Sequence, residues 1–154
     1  MFTKILNPLE KHWRHQGIYI AVFLDKGWGI EKDSQVCSIV ADAIRTDLFK
    51  AGFVTNEDKS VWIPCQRLDW LGITWDSARG TIEIVDRRVA KLTSTIDSII
   101  DSDFVLSSRR LASFTGQIIS TAPVSGNISR IMTRYCIMST ISVKHWDEKV
   151  KMDP

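Results

Sequence analysis

The chain has 154 residues, 44% of them apolar and 25% charged, with a formal net charge of +2. That length fits one domain or two small ones, and the composition is that of an ordinary globular chain, which excludes a disordered or strongly polyanionic or polycationic segment. The longest apolar run, Ile18 to Leu24, is too short to span a bilayer, no charged-then-apolar leader opens the chain, and Cys37, Cys65 and Cys136 are too few and too scattered for a disulfide framework or a zinc site. An intracellular protein (cytoplasmic or nuclear) with reduced thiols and no membrane partner is expected.

In chain order, Phe2, Ile5, Leu6, Leu9 and Trp13 share one helical face, with Pro8 predicting a kink or an early stop and Gly17 a break. Ile18 to Leu24 then reads as a strand running into Asp25-Lys26-Gly27, a hairpin in which Gly27 is expected to supply the positive φ. Val36, Ile39, Val40, Ala43, Ile44 and Leu48 form the clearest helical stripe, with Asp33 or Ser34 as its cap and Gly52 at its end. Val61-Trp62-Ile63 and Leu68 to Trp75 read as short strands joined through Pro64, followed by a turn at Ala78-Arg79-Gly80 and a strand from Thr81 to Val85.

Beyond Asp86 the pattern is purely helical. Val89, Leu92, Ile96, Ile99 and Ile100 make one stripe, and Leu111, Phe114, Ile118 and Ile119 a second, capped by Ser107 or Ser108. Ile128, Ile131, Met132, Tyr135 and Met138 make a third after the break from Pro123 to Gly126. Three such helices can pack as a small bundle. The expected class is α+β, with the tail from Lys144 polar and frayed.

The hairpin lifts one carboxylate, Asp25, to the tip of a strand pair, a placement that commonly holds divalent metal for phosphoryl chemistry. Lys26 beside it has the wrong sign, and residue counting alone favours an ordinary turn in which both residues are merely solvated. The surrounding segments alter that balance. Phe2 to Leu9, Val22-Phe-Leu-Asp-Lys-Gly27, Ala51 to Ser60, Leu68 to Asp76 and Leu111 to Ser120 resemble, in order, five segments of the reverse transcriptases of retroviruses and retrotransposons. They are similar to the end of a palm helix, the Tyr-x-Asp-Asp hairpin, the helix end and lysine loop behind it, the primer-grip hairpin and a thumb helix.

That resemblance implies a partial palm over residues 1–78, a thumb-like helical part over 79–145 and a polar tail over 146–154. It puts the catalytic positions at Asp25, Lys26 and Lys59, with Asp25 as a ligand of the magnesium used by the intact enzyme and Lys59 near the leaving pyrophosphate. Two-metal nucleotidyl transfer needs bridging carboxylates. Here Lys26 stands where the family has its second aspartate, and the earlier acidic strand would precede Met1. A lysine ammonium ~4 Å from a divalent ion is repelled by about 8 kcal/mol at an effective dielectric of 20. The chain is therefore expected to be inactive in nucleotide addition and not to hold magnesium stably.

The same resemblance assigns template–primer contacts to Trp70, Leu71 and Gly72 in the grip turn and to Gly116 and Gln117 on the thumb helix. Trp70 would serve equally as hairpin core. A mid-helix glycine costs ~1 kcal/mol relative to alanine, which close approach of a duplex or of a neighbouring helix would explain alike. Arg109 and Arg110, with Arg87 and Arg88, could sit beside a phosphate backbone or lie on a solvated face. His12, His15 and His145 have no metal-ligand partners at suitable spacing.

Two functions are expected from these residues. One is a reverse-transcriptase fragment that grips RNA–DNA or DNA duplex weakly without extending a primer. The other is a non-catalytic interaction module that pairs with itself, as a homodimer, or with a complementary palm half through an exposed sheet edge.

Overall fold

A computed structural model describes residues 2–152 and has a mixed α+β architecture with small antiparallel sheets. Its chain divides into two compact units, residues 1–66 and 67–154.

The first unit begins with helix α1 (Phe2–His15), which continues through Pro8 rather than stopping there. Burial of Leu6 and Trp13 on either side of the proline holds the helix together, and the Trp13 indole donates to Asp47 Oδ2 at 3.0 Å. Gly17, at φ 81°, ends α1 as expected. Strands β1 (Tyr19–Phe23) and β2 (Lys26–Ile30) pair antiparallel, with Phe23 opposite Lys26 and Val22 opposite Gly27. The loop is therefore the two residues Leu24 and Asp25, and Leu24 takes the positive φ of 55° that the sequence had assigned to Gly27. Register decides this: the ladder closes one residue earlier than the glycine, which becomes a strand residue.

Helix α2 (Ser34–Lys50) is capped by Asp33, whose carboxylate accepts the N–H groups of Gln35 and Val36 at 2.8 and 3.0 Å. Its Ile44 is buried with Trp13 and Ile18, and Leu9, Ile20, Val40, Leu48 and Trp62 pack around them. Val36 and Ile39, from the same expected stripe, stay outside that core. A 3₁₀ turn, Glu57–Lys59, follows. Val61-Trp62-Ile63 does not form the expected strand: Trp62 turns inward under the Arg45 guanidinium, 5.6 Å from its ring centroid, while Val61 and Ile63 face solvent. No neighbouring strand is paired with it among the described residues, and tryptophan burial fixes its course instead.

The second unit opens with a three-stranded meander of β3 (Arg67–Trp70), β4 (Ile73–Asp76) and β5 (Thr81–Ile84). Leu71 and Gly72 form the first turn, both at positive φ. Helices α3 (Asp86–Asp101) and α4 (Ser108–Ile119) are separated by β6 (Val105–Ser107), and Ser107 caps α4 by accepting from Arg110 N–H. Short helices α5 (Ala122–Ser125), α6 (Ile128–Met132) and α7 (Arg134–Ile141) follow. Helix α4 packs against α3, α6 and α7, and its Leu111 is completely buried.

Two expectations are corrected here. The third apolar stripe is broken at Thr133 into α6 and α7, and it points outward: Ser129 and Thr133 are buried while Ile128, Ile131, Met132, Tyr135 and Met138 are exposed. Small hydroxyl side chains allow α6 and α7 to approach closely, and they satisfy themselves by bonding back to their own helix, as Thr133 Oγ1 does to Ser129 O at 2.7 Å. The tail is not frayed either. Strand β7 (Lys149–Lys151) pairs with β6, and Met152 is buried beside Ile99, Leu106 and Leu111. Hydrophobic burial of Met152 together with the strand ladder outweighs the polarity of the segment.

Candidate nucleic-acid interface

Asp25 stands exposed in the hairpin loop and Lys26 exposed at the head of β2. Lys59 closes the 3₁₀ turn beyond α2, also exposed, with its backbone N–H bonded to Asn56. Among the described residues no three His, Cys, Asp or Glu side chains converge to hold a metal. A single carboxylate flanked by an ammonium is not the donor set that a pair of divalent ions needs, so the residues of this chain alone do not fit the magnesium implied by the resemblance.

The second unit joins two segments that the sequence holds far apart. The Leu71-Gly72 turn projects from the meander, and Arg88 in the first turn of α3 reaches it. Arg88 Nη1 donates to Leu71 O at 3.3 Å, and Nη2 donates to the Ser120 hydroxyl at the end of α4. One guanidinium thus ties the Leu71-Gly72 turn to α4, one turn beyond Gly116 and Gln117. Gly72 makes this possible. Its φ is 79°, and a Cβ there would stand 2.6 Å from Arg88 Nη1. Trp70 is half-buried at the end of β3.

Helix α4 presents Arg109, Ser113, Gly116 and Ser120 outward. A Cβ at Gly116 would meet nothing within 4 Å, so packing inside the chain does not require that glycine. Gln117 is half-buried and donates to Ser113 Oγ at 3.4 Å. Arg109 and Arg110 lie at the other end of the helix, about 15 Å of axial rise from Ser120. There Arg109 is held by Asp147, Nε to Oδ1 at 3.0 Å and Nη2 to Oδ2 at 3.4 Å, and Arg110 donates to the Ser98 hydroxyl. The guanidinium depresses the Asp147 pKa, and the carboxylate raises that of Arg109.

The arrangement thus brings Leu71, Gly72 and the Gly116 end of α4 together and leaves the Arg109–Arg110 doublet at the far end, half neutralised. The sequence offers Arg88, with Arg87, as a phosphate contact or a solvated residue and gives no sign of its partners, which lie 17 and 32 residues away. From Phe104 to Trp146 there is no Asp or Glu, while Arg109, Arg110, Arg130, Arg134 and Lys144 all fall there.

Comparison with protein-family models, with curated proteins and with solved structures finds no match. The fold and the site define an α+β protein in whose second unit Arg88 ties a glycine turn to the hydroxyl-bearing end of α4. Among the described residues no helix is long and apolar enough to cross a membrane.

Proposed function

We propose that this chain is a palm-and-thumb portion of a reverse transcriptase that grips template–primer duplex and does not itself add nucleotides. The observation that carries this reading is the Arg88 tie between the Leu71-Gly72 turn and the end of α4. It makes one continuous surface of the two segments that resemble the primer grip and the thumb helix. Along that surface Gly116 leaves the α4 backbone open to a close neighbour, and Arg87 and Lys91, exposed on α3 beside Arg88, supply positive charge. Phosphate contacts of this kind give affinity without sequence preference and make it fall with salt.

The test is fluorescence anisotropy with a labelled RNA–DNA hybrid, alongside a primer-extension assay with magnesium. Weak binding is expected, with log K falling against log salt at a slope of about −3, as for three or four neutralised phosphates, and no extension product. Absence of binding at low salt overturns the duplex grip, and extension by the chain alone overturns the ligand count at Asp25 and Lys26.

A second reading, an interaction module, is favoured by the hairpin. β1 and β2 form a two-stranded sheet that no third strand joins among the described residues; Arg14 Nη2 donates to Ile20 O on it at 3.2 Å, and Tyr19, Phe23 and Ile30 are exposed. A sheet edge templates pairing with another strand. Addition of a peptide spanning a complementary palm strand would then protect the β1 amides from hydrogen exchange; unchanged exchange removes this reading.

A further inference from the structure

We infer that the second unit self-associates through a reciprocal docking of α3 onto the α6–α7 face of a second copy. The two faces are complementary in chemistry. On α6 and α7 the outward side chains are Ile128, Ile131, Met132, Tyr135, Met138 and Ile141, from 54% exposed at Tyr135 to 76% at Ile141. Arg130 in α6 and Arg134 at the start of α7 are exposed beside that stripe, four residues apart across the break at Thr133. On α3 the outward side chains are Val89, Ile96 and Ile100, all more than 40% exposed, and Asp97 and Asp101 flank them, one helical turn apart. None of these four charged side chains is in an ion pair among the described residues.

Two acids and two arginines at the same spacing of four residues, each beside an apolar stripe, match as edges of one interface. No acid between Phe104 and Trp146 competes for the arginines on their own helices. The two faces together expose on the order of 1,000 Å² of side chain per copy, above the ~800 Å² that each partner contributes to a standard stable interface. A two-fold arrangement uses both faces twice and closes, so the product is a dimer and not a filament. The Ser129–Thr133 face inside and the apolar face outside are then both explained: the small residues serve close packing on α4, the large ones serve the partner.

Multi-angle light scattering and sedimentation on the full chain, without nucleic acid and over a roughly hundredfold concentration range, test this. The expected result is a concentration-dependent dimer. Reversing one flank, as Asp97→Arg with Asp101→Arg, or the other, as Arg130→Glu with Arg134→Glu, should weaken it about tenfold or more, and combining all four changes should restore it to within about threefold. A monomer at every concentration overturns the inference, as does a dimer indifferent to either reversal or one that the combination fails to restore. If circular dichroism shows that a reversed variant has lost its fold, Met138→Ser stands in its place, and a Met138→Ser chain that dimerises like the parent is equally fatal to it.

Discussion

Replacing Gly72 by alanine probes the junction on which the proposed duplex grip depends. Two costs are set by the geometry. The backbone at φ 79° lies in the left-handed region, where an L side chain costs about 1–2 kcal/mol. The new Cβ would also fall 2.6 Å from Arg88 Nη1, so the guanidinium must withdraw. Because that atom is the end of a flexible side chain, steric relief itself is cheap. What is lost is the bond to Leu71 O, worth about 1 kcal/mol at this part-buried site. Gly72→Ala should therefore destabilise the protein by about 2–3 kcal/mol. Urea unfolding followed by circular dichroism measures it, with Arg88→Ala and the double variant completing a cycle. The double variant should cost about 1 kcal/mol less than the sum, because the Arg88 bond is then removed once and not twice. Additive costs, or a Gly72→Ala cost under about 0.5 kcal/mol, would refute the competition between Cβ and guanidinium. In anisotropy the same variant should weaken hybrid binding while leaving the salt slope near its parent value, since no phosphate-contacting charge is deleted.

Other expectations follow from single positions. Gly116→Ala should raise the unfolding midpoint, by up to about 1 kcal/mol of stability, because the added methyl meets nothing inside the chain; a lowered midpoint would mean that α4 needs the glycine for its own packing. If the duplex approaches that helix closely, the same variant binds hybrid less tightly although it is more stable. Leu111→Ala should cost about 2–5 kcal/mol in urea unfolding, since Leu111 is fully buried against Ile99, Leu106 and Met152. The Asp76 carboxyl is held below its usual range, first by the Arg79 backbone N–H at 3.0 Å and then by the Arg67 guanidinium at 3.2 Å. A depressed folded-state pKa contributes stability that is present above the unfolded value of about 3.9 and is lost as pH falls through the folded one, so Asp76→Asn should flatten the acid limb of a stability–pH curve. An unchanged acid limb would place the sensitivity elsewhere.

Sequence alone determined the elements whose physics is local. Asp33 caps α2, Ser107 caps α4 and Gly17 ends α1 because a side-chain acceptor or a glycine acts within a few residues of itself. Periodicity located α2, α3 and α4 for the same reason. The hairpin was legible too, but its loop is Leu24-Asp25 and not Asp25-Lys26-Gly27, since register depends on which partner each strand residue faces.

Tertiary structure decided everything that depends on contacts between distant residues. An apolar stripe states that a helix has two faces, and only its neighbours decide which face turns inward. On α6 and α7 the small hydroxyl face won because α4 lies close, and the apolar face was left out. The tail was rescued by Met152 finding the Ile99–Leu111 core from 40 or more residues away. Arg88 acquired its role from Leu71 and Ser120, neither of them near it in the chain. Propensity and spacing act over one or two turns, whereas burial and hydrogen bonding choose partners in three dimensions.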